Sequence, residues 1–161
     1  MKRFMALILL VSMLGGCAQE KQQEEAQVTP TPVSTEQTEE KTDMTLKLKI
    51  NETEVQVAWE DNASVDALKE LAGNSPLEVR MSMYGGFEQV GSLGQSITRN
   101  DVQTVTDSGD IVLYSGNQIV VFYGSNSWAY TRMGHITDQD QAGMRSLLAN
   151  GDVTLTLYMG E

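Results

Sequence analysis

Gly109–Ile136, GDIVLYSGNQIVVFYGSNSWAYTRMGHI, decides the fold. Ile111 to Tyr114 and Gln118 to Tyr123 are rich in β-branched and aromatic residues, which suit a pleated, packed surface. Ser115-Gly116-Asn117 between them tolerates positive φ, so the two runs are predicted to form a hairpin. The second run is apolar at almost every position instead of alternating, which implies burial on both faces. Gly124-Ser125-Asn126-Ser127 is then a polar turn that delivers Trp128, Tyr130 and Arg132 onto an extended segment. The prediction is a core hairpin with an aromatic rim.

The flanking sequence extends this into a domain. Leu46, Leu48 and Ile50 alternate with Lys47 and Lys49, and Val55, Val57 and Trp59 with Glu54 and Gln56, as half-buried antiparallel strands do. Asn62 or Ser64 can cap a short helix with Val65, Leu68 and Leu71 or Ala72 on one face, ended by Gly73. Leu77 to Tyr84 reads as a strand, Gly85-Gly86 as a bend, and Phe87 to Val90 as its continuation or partner. Gly91 to Asn100 reads as loop and Val102 to Val105 as a short strand. On the other side, Thr137-Asp138-Gln139-Asp140 has the form of a capping box. The helix behind it places Met144, Leu147 and Leu148 on one face and stops at Asn150-Gly151; Val153, Leu155 and Leu157 then alternate in a final strand. About eight strands and two short helices over residues 44–161 predict a mainly β domain, a helix-plugged β-barrel in preference to an open sandwich.

Residues 1–43 have a different character. Lys2 and Arg3 precede the apolar run Phe4 to Leu14, which is shorter than the roughly 20 residues a membrane-spanning helix needs and fits an export signal. Leu14-Gly15-Gly16-Cys17 resembles the cleavage box of bacterial lipoprotein signals. That resemblance implies removal of residues 1–16, a diacylglyceryl thioether on Cys17, acylation of the new amino terminus by a fatty acid such as palmitate, and a lipid-anchored location in the cell envelope, on the extracytoplasmic side of a bacterial membrane. Acyl chains contribute only about 0.8 kcal/mol per buried CH₂, so stable attachment takes two of them, which a diacylglycerol supplies. Cys17 is the only cysteine, so the domain is held by its core without a disulfide. The stretch from Ala18 to Asp43 is Gln, Glu and Thr with Pro30 and Pro32, too poor in large apolar residues to offset the entropy of ordering. Residues 17–43 are therefore expected to be a lipidated cysteine and an acidic tether with a reach of roughly 28 Å. The full chain carries a net charge of −11, and loss of Lys2 and Arg3 with the signal takes it to −13. That acidity argues against nucleic acid as a partner.

Three segments resemble a family of small prokaryotic cyclophilin-like proteins: YGGFEQVGSLG (Tyr84–Gly94), GDIVLYSGNQIVVFYG (Gly109–Gly124) and SNSWAYTRMGHI (Ser125–Ile136). Met133 stands where the family tends to have Leu. The resemblance covers essentially residues 44–161 and implies a closed eight-stranded β-barrel with two short capping helices, in agreement with that pattern. Catalytic cyclophilins carry a Phe-His-Arg-x-x-Pro-Gly-Phe strand whose arginine polarises an Xaa-Pro amide. Laid without gaps on Gly86-Phe87, that arginine falls on Ser82, its histidine on Met81 and its first phenylalanine on Arg80. Arg80 keeps the same face but lies about 6.6 Å away along the strand. Asn117-Gln118-Ile119-Val120 keeps the glutamine of the family's Ser-Gln-Phe-Phe segment without its aromatic pair. The resemblance thus implies the fold and speaks against isomerase activity.

Other chemistry finds little support. His135 is the only imidazole, which excludes a multi-histidine metal site, and no nucleophile elbow accompanies it; a structural or solvent-facing role is expected. Gly85-Gly86 is followed by neither a helix start nor Lys-Ser/Thr, so it is no phosphate loop. No cofactor or metal is expected. The remaining expectation is a membrane-tethered binding module for an extended peptide or small molecule. Its candidate face is Arg80, Tyr84, Phe87, Gln118, Phe122, Tyr123, Trp128, Tyr130 and Arg132. The alternatives are a peptidyl-prolyl isomerase acting on exported proteins and a structural partner in the envelope.

Overall fold

The computed structural model describes residues 43–161; the expected signal, Cys17 and all of the tether but Asp43 lie outside the described residues. β1 (Thr45–Ile50) buries Leu46, Leu48 and Ile50 and leaves its lysines at the surface, as the alternation requires. Asn51, at φ 51°, turns the chain into β2 (Thr53–Val55), and β3 (Val57–Trp59) follows after Gln56 alone. β4 (Leu77–Tyr84), β5 (Glu88–Ser92), β6 (Val102–Val105), β7 (Asp110–Tyr114), β8 (Gln118–Phe122), β9 (Ser127–Ile136) and β10 (Val153–Gly160) complete the strands.

Their order is β2-β1-β10-β4-β5-β8-β7-β9-β3, with every pairing antiparallel and β6 added on β9. The two ends of this path, β2 and β3, are halves of one strand bent at Gln56. That strand pairs with β1 on one side and β9 on the other, so it brings both sheet edges together into a nearly closed barrel. Counting the halves as one leaves the eight strands expected, with β6 as an extra strand paired to β9.

α1 (Ala63–Ala72) starts at Asn62, whose Oδ1 accepts the N–H groups of Ser64 and Val65, each at 3.0 Å. Asn62, not Ser64, is therefore the cap; the Ser64 hydroxyl donates to the Thr98 carbonyl at 2.7 Å. Val65, Leu68 and Ala72 face the core. α2 (Gln141–Leu148) begins at Asp140, whose Oδ1 accepts from the Gly143 N–H at 2.8 Å. The cap is thus Asp140 and not Thr137, which donates its N–H to the Gln56 carbonyl at 2.9 Å and helps hold the bent strand. Met144 and Leu148 are the buried face of α2. Gln89 Nε2 donates to the carbonyls of Leu148 and Gly151, both at 2.7 Å, fastening the end of this helix to the barrel.

Inside the barrel Leu48, Leu68, Ile111, Leu113, Val121, Met133 and Leu155 form one continuous core. A second, smaller cluster of Val112, Val120, Phe122 and Tyr130, flanked by Phe87 and Val90, lies on the opposite face of β5, β7 and β8. Apolar burial on both faces is the physical reason that the runs in β7 and β8 do not alternate. A bulge in β9 opposite Ile111 and Val112 inserts Met133 as an extra residue. Tyr130 and Arg132 thereby keep to the outer face, while Met133 and Ile136 reach the core.

Candidate functional site

The outer face is assembled by register. Tyr84 on β4 pairs with Glu88 on β5, and Ser82 with Val90. Val90 pairs with Val120 on β8, which pairs with Val112 on β7. Tyr114 at the end of β7 pairs with Gln118 at the start of β8, across a turn with positive φ at Ser115 and Gly116. β9 crosses beyond β7 and brings Trp128 and Tyr130 to the same face. The result is a cavity of about 450 Å³ lined by Tyr84, Glu88, Val90, Tyr114, Gln118, Val120, Asn126, Trp128 and Tyr130. That volume lies within the range of small-ligand sites, and the predominance of aromatic and apolar walls with a few polar groups fits them too.

Four of the candidate residues line it: Tyr84, Gln118, Trp128 and Tyr130. Five do not. Phe122 is fully buried beneath it, edge-on to Tyr130 with centroids 5.8 Å apart. Tyr123 follows Phe122 in the chain, so it points the other way, into the barrel core. Phe87 lies parallel to Phe122 at 6.5 Å, and its carbonyl accepts the N–H groups of Tyr123 and Gly124, which makes it a wedge under the site. Arg132 Nη1 lies 3.2 Å from Asp110 Oδ1 and Nη2 donates to the Val105 carbonyl at 3.3 Å. Arg80 shares the outer face of β4 with Tyr84 but stands opposite Thr154, away from the cavity.

The sequence reading missed Glu88, Val90, Tyr114, Val120 and Asn126. Glu88 matters most. It is 5 % exposed, its Oε2 has no hydrogen-bond partner among the described residues, and burial pushes its carboxyl up to about 7. Tyr130 is also buried, and its phenol is raised above its ordinary value, first by burial and then by the charge of Glu88; the Asn126 Nδ2–H donated to its oxygen at 3.0 Å opposes the rise. Asn126 is itself held by exchange with Thr106: the Thr106 N–H donates to its carbonyl at 2.8 Å, and its N–H donates to Thr106 Oγ1 at 3.0 Å. Among the described residues lining the cavity there is no Lys, Arg, His, Cys or Ser. The ionisable groups on these walls are the Glu88 carboxyl and the phenols of Tyr84, Tyr114 and Tyr130.

The single histidine is elsewhere. His135 is half exposed, and its Nδ1 lies 2.8 Å from Asp110 Oδ1; buried Asp110 also takes Arg132 and, through Oδ2, the Asp107 N–H at 2.9 Å. This cluster ties β7 to β9 and does not line the cavity.

A profile of the cyclophilin-like family matches residues 48–158, the whole barrel apart from its first and last few residues. The chain belongs to the cyclophilin-like family. No curated protein and no solved structure matches it. Within this cyclophilin-like domain the motif Tyr84-Gly85-Gly86-Phe87-Glu88 acquires a geometry: both glycines have positive φ, and a Cβ at Gly85 would strike the Phe87 ring. The tight bend is what lets Phe87 pack beneath the cavity while Tyr84 and Glu88 stand in it. Ser82, onto which the ungapped sequence reading lays the cyclophilin arginine, donates its hydroxyl to Asp152 Oδ2 at 3.2 Å.

Proposed function

We propose that this chain is a lipid-anchored, extracytoplasmic cyclophilin-like module that binds a small molecule, or one side chain of an extended peptide, without isomerising it. The observation that carries the binding reading is the aromatic cavity on the outside of the barrel, seated on its own apolar cluster and floored by a buried carboxyl. A group held like that, with one oxygen unpartnered among the described residues, is built to meet something. The non-catalytic reading is supported by Ser82, short and engaged with Asp152, and by Arg80, which stands apart from the cavity. Lowering a rotation barrier of about 18–20 kcal/mol requires a donor held close to the twisting amide.

In a protease-coupled proline-isomerisation assay the protein is expected to leave the uncatalysed rate unchanged. Acceleration that disappears in Arg80→Ala would replace this reading with the isomerase. The anchor is tested separately: Cys17→Ser is expected to release the protein from the membrane fraction after a high-salt wash, and wild-type retention of that variant would remove the lipoprotein from the proposal.

A further inference from the structure

The ligand's chemistry can be read from the cavity, on the assumption that it is the binding site proposed above. We infer that it takes an organic ammonium ion, with the Glu88 carboxylate as counter-charge and the surrounding rings as walls. Glu88 Oε2 is buried and without a partner among the described residues, and a buried carboxylate in that condition is favourable only when something cationic or hydrogen-donating reaches it. No lining residue described is cationic, so the charge must come with the ligand.

The walls point the same way. Tyr84, Tyr114, Trp128 and Tyr130 line the cavity with the carboxyl, and the rings of Tyr114 and Tyr130 stand at 67° with centroids 6.0 Å apart, forming a corner. Aromatic faces attract alkylammonium groups through the ring quadrupole, and more strongly where water is excluded. Gln118, Asn126 and the phenol oxygens can accept from N–H or O–H groups on the remainder of the ligand. An anion would meet an unpaired carboxylate inside a chain of net charge −11, whereas that charge draws cations in.

Glu88, raised to about 7, adds a pH dependence of known sign. A cation binds the ionised form, so affinity rises with pH until Glu88 is ionised in the free protein. The other titratable groups lining the cavity with Glu88 are the phenols of Tyr84 on β4, Tyr114 on β7 and Tyr130 on β9, with no further acid or base among the described lining residues. Burial and the Glu88 charge push the Tyr130 phenol up, away from this window.

The test is calorimetric titration of the full-length protein with choline, whose charge is fixed, and with neohexyl alcohol, its uncharged carbon isostere. Choline affinity is expected to rise on the order of a hundredfold between pH 5 and pH 8, while the alcohol binds at least about tenfold more weakly at pH 8 and without that slope. Glu88→Gln should flatten the choline profile and lower its affinity at pH 8 to near that of the alcohol. Trp128→Ala should weaken both probes. If Glu88→Gln fails to fold, the wild-type slope and the choline-to-alcohol ratio still decide. Equal affinities at pH 8, or choline affinity that falls as pH rises, would overturn the ammonium inference and leave the binding site standing. Binding of neither probe at either pH would remove both.

Discussion

Glu88 sits between two costs. Neutral, it leaves a carboxyl in an apolar surround; ionised, it leaves a charge there, and burial raises it to about 7 to avoid the second. Because the folded protein holds this proton up to a higher pH than the unfolded chain does, stability is lost as pH rises from about 4.5, the ordinary value, through 7. The full loss is on the order of 3 kcal/mol, at 1.4 kcal/mol per pH unit. Glu88→Gln is therefore expected to raise Tm above wild type at pH 8.5 and to leave it nearly unchanged at pH 4, as measured by calorimetry. A difference of equal size at both pH values would show that the effect is packing and not charge. This residue was within reach of the sequence, since it closes the Tyr-Gly-Gly-Phe-Glu motif. Its burial is hidden there because a Glu-Gln pair carries no apolar alternation. What the sequence could not supply was the register that sets Glu88 against Tyr84 and Phe122.

Between neighbouring strands the tightest constraint is at Gly91. It stands opposite Met81 on β4 and Ile119 on β8, and a Cβ there would overlap Met81 and come within 2.6 Å of Val79 Cγ1 and 2.7 Å of the Arg80 carbonyl. Gly91→Ala is expected to destabilise by about 2–3 kcal/mol, read as a lower urea midpoint at unchanged slope, because the backbone of β4 cannot yield. Full stability in this variant would mean that β4 and β5 lie farther apart. Elements differed in how readily the sequence disclosed them. The strands of Leu46–Ile50 and Val153–Leu157 were plain because they bury one face and wet the other. β5 was harder: Glu88 and Gln89 are both buried polar residues, one in the cavity and one bonded to the end of α2, so no alternation marks the strand. The start of α2 was misplaced because Thr137 and Asp140 are equally good caps in isolation. Only the claim of Gln56 on Thr137 separates them.

Over the whole molecule, the bent strand β2–β3 closes the barrel, and the core inside it draws on β1, β4, β7, β8, β9, β10 and both helices. All of these lie within residues 44–161, so the fragment Met44–Glu161 is expected to fold alone in one cooperative thermal transition, indifferent to chelators and reductants. A broad or metal-dependent transition would show that this core is incomplete. Burial on both faces of β7 and β8 has a kinetic corollary. In most strands a slip of one residue turns apolar side chains into water and is rejected at once. Here a slipped hairpin would still present Ile, Val and Phe on either side, so the error would go unpunished until β5 and β9 paired with its two edges. Proofreading falls to the turn, where Ser115 and Gly116 must both take positive φ before Tyr114 can meet Gln118. Two residues at one tight turn thus fix the register of the hairpin on which both the core and the cavity rest.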